Sequence, residues 1–380
     1  MRVAVPREVR PGERRVALVP ESCRKLVAAG LEVTVETCAG EAAFFSDAAF
    51  REAGAGILSG PEPLFGSADL VVKVQAPALN EALGEHEVEL MRKGAMLLCT
   101  LVPSRHPDVV ERLARRNLTA FATDLIPRIT RAQAMDTLSS MANIAGYKAV
   151  LIAANHLPRY FPMLMTAAGT VFPAKVFVIG AGVAGLQAIA TAHRLGAAVE
   201  ATDTRPVVKE QVESVGAKFV GVEVSEEAQD ASGYARELSA DFYRKQAELI
   251  AERCAAADAV ITTALIGGVK APKLITAEMV RAMKPGSVIV DLAAEAGGNC
   301  ELTQPGRTVV AHGVTIVGPD NLPAEVPWHG STLYSRNLTA FVLAFWNGGA
   351  FNIDLEDEII RGCLVTHAGE VCLGKAAARA

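Results

Sequence analysis

The chain has no apolar stretch long enough to cross a membrane. A spanning helix needs about 20 such residues in a row, and the strongest candidate, Leu338 to Trp346, is cut short by Asn347-Gly348-Gly349. The opening Met1-Arg2-Val3-Ala4-Val5-Pro6 reads as a strand and lacks the apolar core of a secretory signal. No direct membrane span is expected. The seven cysteines (Cys23, Cys38, Cys99, Cys254, Cys300, Cys363 and Cys372) include no C-x-x-C pair. That spacing argues against a disulfide framework or a structural zinc site, and buried thiols in a reducing cytosol are expected instead. The histidines show no ligand spacing either, so no metal site is expected. Aromatic residues make up only 5 % of the chain, the net charge is a mild -5, and no Lys/Arg stripe stands out. Nucleic acid is therefore not an expected partner.

What is present is an Ala/Val/Leu-rich chain of 380 residues, 51 % of them hydrophobic. That length favours two domains, and the composition favours an α/β class. Val3 to Pro6, Glu32 to Glu36, Leu70 to Val74, Met96 to Thr100 and Leu118 to Ala122 read as short buried strands. Amphipathic helices such as Pro20 to Ala29 and Asp47 to Ala53 lie between them. Alternation of this kind predicts parallel, doubly wound sheets. Thr137 to His156 has the apolar periodicity of a long linker helix, and a second α/β series runs from Lys175 to about Val317. The tail offers another long helix, Thr332 to Trp346. The expected fold is α/β, with two Rossmann-like doubly wound domains joined by long helices and a cleft between them. One domain would comprise residues 1–136 plus 326–380, and the other residues 137–325. The charged segment Ser225 to Lys245, with Gly233-Tyr234, reads as an exposed arm or a solvated helix face.

The turn Gly180-Ala181-Gly182-Val183-Ala184-Gly185 has the spacing G-x-G-x-x-G. Alone this is a weak signal, but here its surroundings supply specificity. The apolar strand Val176-Phe177-Val178-Ile179 leads in, and a helix-compatible run from Leu186 to Ala192 leads out. A second strand, Val199 to Thr202, then delivers Asp203-Thr204-Arg205. The spacing fits a dinucleotide-binding βαβ unit. Gly180 would permit the tight turn, Gly182 would let the backbone approach a pyrophosphate, and Gly185 would allow close helix–strand packing. The free N–H groups at the helix start, Val183 and Ala184 among them, would face the phosphates. Asp203 would bond the adenosine ribose and repel a 2′-phosphate, favouring NAD(H), although Arg205 nearby could tolerate that phosphate. Later strand ends should border the same ligand, with Ala264 and Leu265 beside the ribose and nicotinamide and Asp291 as a strand-end hydrogen-bonding residue.

The run Arg128-Ile129-Thr130-Arg131-Ala132-Gln133-Ala134-Met135-Asp136-Thr137-Leu138-Ser139-Ser140, followed by Ala142-Asn143-Ile144-Ala145-Gly146-Tyr147, resembles the NAD(H)-binding component of proton-translocating nicotinamide nucleotide transhydrogenases. Arg14 to Pro20, Ala201 to Arg205, Lys209 to Ser214, Ile261 to Ile266 and Leu292 to Cys300 carry the same resemblance, which extends over nearly the whole chain. It implies a dimeric two-domain protein of the split-gene type, cytoplasmic and attached to the membrane only through partner subunits. One partner would hold NADP(H) and another would span the membrane. The implied reaction is direct hydride transfer between NADH and NADP+, coupled to proton movement. By the same resemblance Gln133 would reach between the nicotinamide rings. Asp136 and Ser139 would orient the NADH carboxamide, and Arg128 would bind the carboxamide or a phosphate. Direct hydride transfer needs no acid or base, only ring carbons held about 3–3.5 Å apart in a dry site. A purely structural alternative exists for Asp136 as a helix cap.

Alanine dehydrogenases are a more distant resemblance. Arg15 and Lys73 match positions where those enzymes bind the carboxylate and carbonyl of pyruvate. Their acid–base histidine has no counterpart in Leu98-Cys99-Thr100-Leu101-Val102-Pro103, where Val102 takes its place. His106, slightly further on, reads as a surface residue. Arg15 and Lys73 are then inherited features of an ancestral cleft. A third reading is a non-catalytic NAD-binding regulator, which would have no need of the Gln133 loop.

Overall fold

The structure is a computed structural model and describes residues 1–222, 240–265 and 270–373. The chain divides into two compact units. One comprises Met1–Met141 together with the chain from Pro323 onward, and the other is Ala142–Leu322. Residues 225–239 of the charged segment lie outside the described residues, whereas residues 240–245 open the helix Ala240–Ala256.

The first unit is built on an eight-stranded sheet. Its spatial order is Glu370–Val371, Leu364–His367, Thr119–Ala122, Met96–Cys99, Leu70–Val72, Arg2–Val5, Glu32–Glu36 and Gly56–Leu58. The last six are parallel and the two tail strands antiparallel. Along each strand successive side chains enter opposite cores. Val3, Val5, Leu70, Val72, Leu98 and Phe121 fill one face, and Ala4, Val71, Leu97, Cys99, Ala120 and Ala122 fill the other. Both faces are covered, which is why these strands read as continuous apolar runs. The tail helix Pro327–Phe345 adds Tyr334, Leu338, Phe341 and Val342 to the first core. It begins at Pro327, ahead of the expected Thr332. Proline suits a first helical position, where its missing N–H leaves nothing unpaired.

The second unit carries a seven-stranded sheet in the order Lys218–Phe219, Ala198–Thr202, Lys175–Ile179, Ala259–Thr262, Val288–Asp291, Val314–Gly318 and Arg307–Ala311. All but the last are parallel. Val176, Val178, Ile261, Val288 and Val290 pack on one face, and Phe177, Ile179, Val260 and Ile289 on the other. Strand order reverses between Lys175–Ile179 and Ala259–Thr262. Such a reversal opens a crevice at the carboxyl ends, where ligands of open α/β sheets bind. The expected α/β class with two Rossmann-like units is thus observed. The helix Thr137–His156 has the expected bounds.

Short elements escape the sequence pattern. Gly56–Leu58 and the two tail strands are examples, as is an isolated hairpin of Leu164–Thr166 and Gly169–Val171.

Candidate functional site

The glycine turn closes the end of strand Lys175–Ile179 and opens the helix Val183–Arg194. Its three glycines meet different surroundings. Gly180 has φ +100°, and a Cβ there would lie 2.5 Å from Thr263 Oγ1. A Cβ on Gly185 would overlap the Gly180 carbonyl oxygen, so the helix sits directly on the turn. A Cβ on Gly182 would meet nothing within 4 Å. Gly180 and Gly185 therefore answer to backbone geometry and packing, while Gly182 borders open space. Gly182 and Val183 are exposed and Ala184 is half-buried, so the start of the helix is accessible. Gly146, in the helix Thr137–His156, is equally constrained, because a Cβ there would overlap the Ala184 carbonyl. Asn143 Nδ2 donates to Gln187 Oε1 at 3.0 Å beside it. This helix thus buttresses the first turn of Val183–Arg194.

Asp203 follows the strand Ala198–Thr202, and Thr204 and Arg205 beside it are exposed. Its Oδ2 accepts from Ala181 N at 2.8 Å, which ties it to the glycine turn. Arg205 folds over it, with Nε donating to Oδ1 at 3.0 Å and Nη2 to Oδ2 at 3.1 Å. Burial pulls the Asp203 carboxyl upward, but the Arg205 guanidinium and the Ala181 and Arg205 amides outweigh it, and the pKa is lowered. Asp203 is therefore ionised at neutral pH, with the nearby Arg205 charge already engaged by it.

Across the strand reversal, Thr263 N donates to Ile179 O at 2.8 Å, and Thr263 Oγ1 donates to Gly180 O at 3.1 Å. Ala264 N lies 3.3 Å from where a Gly180 Cβ would be, so Ala264 does adjoin the turn. Leu265 beside it is 49 % exposed. Asp291 is wholly buried and accepts from Thr262 Oγ1, Ala293 N, Cys300 N and Thr303 Oγ1 at 2.7–3.0 Å. It is a strand-end hydrogen-bonding residue. Sequence reasoning passes over Thr263 and Asn299. The only available signal is their place in the runs Ile261 to Ile266 and Leu292 to Cys300.

Arg128, Gln133, Asp136 and Ser139 belong to the first unit. Gln133 sits on the 3-10 helix Thr130–Met135, which Ala132 and Met135 anchor in the core. Arg131 adds a two-point ion pair to Asp357 at 2.7 and 2.8 Å, and Asn337 Nδ2 donates to Ala134 O. Gln133 and Arg128 are left exposed. Asp136 accepts from Ser139 N at 2.8 Å and from Ser139 Oγ at 2.6 Å. It thus caps the helix Thr137–His156.

The sheet order of the first unit reverses in the same way, between Arg2–Val5 and Leu70–Val72, but no glycine-rich turn lies there. Instead Glu8 Oε1 accepts from Val74 N at 2.6 Å, and Lys73 Nζ lies 3.2 Å from Glu8 and 2.8 Å from Glu87. All three side chains are almost wholly buried. Burial pulls the Lys73 ammonium down, yet the two carboxylates more than reverse this and raise its pKa. Arg15 is likewise buried and pairs with Glu13 at 2.6 Å. His106 is half-buried, and its Nε2 meets Arg10 Nη2 at 2.9 Å. Burial and the Arg10 charge lower its pKa. Val102 has a left-handed φ of +45°, with Leu101 N and Val102 N both donating to the Asp124 carboxylate.

The three glycine environments separate ligand exclusion from misfolding. Gly182→Val should keep the wild-type fold and melting temperature, since its side chain would enter open space, and, on the expectation that a dinucleotide pyrophosphate approaches there, should weaken NADH binding at least about tenfold. Gly185→Val should instead lower stability by about 2 kcal/mol through overpacking. Calorimetry and NADH titration measure both, and wild-type NADH affinity in Gly182→Val would contradict this reading.

Comparison with known proteins places these features in a family. The alanine dehydrogenase/PNT N-terminal domain matches residues 4–145, and the corresponding C-terminal domain matches residues 149–374. In Rhodospirillum rubrum the NAD(P) transhydrogenase subunit alpha is divided, and its first piece is 51 % identical to this chain over 375 residues, covering 98 % of this chain and 97 % of that one. A crystal structure of transhydrogenase from Sinorhizobium meliloti superimposes with a TM-score of 0.88 at 44 % identity, covering 98 % and 100 %. An alanine dehydrogenase of Bacillus subtilis is 31 % identical, covering 98 % and 92 %. From its first strand to the tail strands, this chain belongs to the alanine dehydrogenase/PNT family.

Proposed function

We propose that this chain is the NAD(H)-binding component of a proton-translocating transhydrogenase. NADP(H) would be held by a second polypeptide, and the membrane span by a further component. The observation that carries NAD(H) is the open space at Gly182, beside an accessible helix start and an ionised Asp203. The N–H groups of Val183 and Ala184 would hold the pyrophosphate. Asp203 would accept from the adenosine ribose hydroxyls, and its pairing with Arg205 leaves that guanidinium less available to a 2′-phosphate. Ala264 and Leu265 would border the nicotinamide ribose. When bound, NADH supplies the hydride. Gln133, Asp136, Ser139 and Arg128 would orient the ring. The braced helix beneath Gln133 favours such a positioning role over a purely sensory protein.

Amino-acid dehydrogenation fits the chain less well. It needs a proton donor, and Val102 offers none, while His106 is engaged by Arg10. Lys73, buried between Glu8 and Glu87, is poorly placed to receive a substrate carbonyl. In a mixture with the NADP(H)-binding component and NADPH, the chain should reduce an NAD analogue. Alone with pyruvate and ammonia it should leave NADH unoxidised. Gln133→Asn should hold NADH affinity within about twofold while slowing transfer about tenfold or more through lost alignment. Oxidation with pyruvate and ammonia would overturn the reading, and an unchanged Gln133→Asn rate would remove that residue from it.

The protein is also proposed to be a homodimer. The hairpin of Leu164–Thr166 and Gly169–Val171 lies in a segment that carries no charge from Tyr160 to Ala174, and Met165 and Phe172 are 82 % and 80 % exposed. A lone two-stranded hairpin is marginal in water, and an uncharged one is best completed by a second copy of itself across a two-fold axis. Sedimentation should show a dimer that Met165→Glu with Phe172→Glu converts to a folded monomer. A double variant that stays dimeric would exclude the hairpin from the interface.

A further inference from the structure

Asn299 has a wholly buried side chain whose hydrogen bonds all go to backbone groups, two of them on Ala264. Its Oδ1 accepts from Ala264 N at 3.1 Å, and its Nδ2 donates to Ala264 O at 2.8 Å and to Pro272 O at 2.9 Å. One N–H and two carbonyls can be satisfied only with the amide in this orientation. The side chain therefore acts as a one-residue strand. It pairs both backbone groups of Ala264 just past the end of Ala259–Thr262, where the sheet itself no longer supplies partners.

Asn299 is itself held in place. Asp291 accepts from the next residue, Cys300 N, at 3.0 Å. The preceding Gly298 has φ +79°, and a Cβ there would come within 2.7 Å of Asp291 Oδ2. On the main chain, Leu274 N and Ile275 N both donate to Asn299 O, at 2.8 and 3.0 Å. A rigid chain of contacts thus runs from the buried Asp291 carboxylate through Gly298 and Cys300 to Asn299, and from there to Ala264. On its other side Ala264 faces Gly180, whose carbonyl takes the Thr263 hydroxyl.

We infer that Asn299 is a positioning residue for the nicotinamide half of the cofactor, acting through Ala264 and Leu265. The inference rests on the NAD(H) reading above. Removing the amide leaves the N–H and carbonyl of Ala264 without their protein partner, in a place where unpaired backbone groups are costly. The segment that would border the nicotinamide ribose then relaxes, while the Thr263 hydroxyl still holds the Gly180 carbonyl and Ala181 N still holds Asp203, since neither bond involves Asn299.

The test compares ADP-ribose, which lacks the nicotinamide, with NADH in the full chain, together with transfer in the presence of the NADP(H)-binding component. In Asn299→Ala, ADP-ribose affinity should stay within about twofold of wild type while NADH affinity falls and transfer slows at least about tenfold, as expected for a misplaced reacting ring. Should Asn299→Ala fail to fold, Asn299→Ser keeps one donor and one acceptor and provides the same comparison. Equal losses for ADP-ribose and NADH would reduce Asn299 to a structural role and overturn the inference, as would no loss of either. Gly182→Val distinguishes the two levels. If it leaves NADH binding intact, the cofactor reading itself fails. If it abolishes binding while the Asn299 variants show no split, only the inference about Asn299 fails.

Discussion

The second unit depends on one close approach, that of the helix Val183–Arg194 to the end of strand Lys175–Ile179. Gly185 lies against the Gly180 carbonyl with no room for a side chain. This contact aims the helix start along the strand reversal, so its free N–H groups and partial positive charge converge where a phosphate can arrive. Other parts of the site are fastened to the same point. Ala181 N holds Asp203, Thr263 Oγ1 holds the Gly180 carbonyl, and Gly146 brings a second helix onto Ala184. Gly182 alone among these glycines is left open.

The two units share a reversal of sheet order and differ in what fills it. In the second, glycine keeps it open. In the first, Glu8, Lys73 and Glu87 close it with a buried ion cluster. Buried charge is tolerated only when paired and hydrogen-bonded, and here the ammonium has two carboxylates while Glu8 also accepts from Val74 N. Burial, with Glu87 nearby, raises the Glu8 carboxyl despite Lys73. A group of this kind specifies how two strand ends meet and leaves little for a ligand to bind. Duplicated architecture therefore does not imply duplicated function.

Much of this is legible in the sequence, where the information is local. Glu32–Glu36 and the helix Thr137–His156 read with their observed bounds, because apolar periodicity over a single segment encodes them. Spacing alone assigns the three glycines different tasks; in the structure Gly180 and Gly185 are crowded and Gly182 borders open space. What stays hidden depends on distant partners. Thr263 meets Gly180 across the sheet, and Asn299 meets Ala264 from the loop that follows the strand Val288–Asp291. Nothing in the neighbouring residues of either announces such a pairing. His106 hides its partner for the same reason, since Arg10 lies far from it in the sequence. The Asp203–Arg205 pair shows a further limit: proximity is visible, but not that the guanidinium folds onto the carboxylate.

The central claim is that the glycine turn and Asp203 form a site for the unphosphorylated dinucleotide. It is tested most directly by titrating the purified chain with NADH and with NADPH and following the fluorescence of each. The account predicts that NADH binds at least about tenfold more tightly, a difference of ~1.4 kcal/mol. Equal affinities, or tighter binding of NADPH, would contradict it.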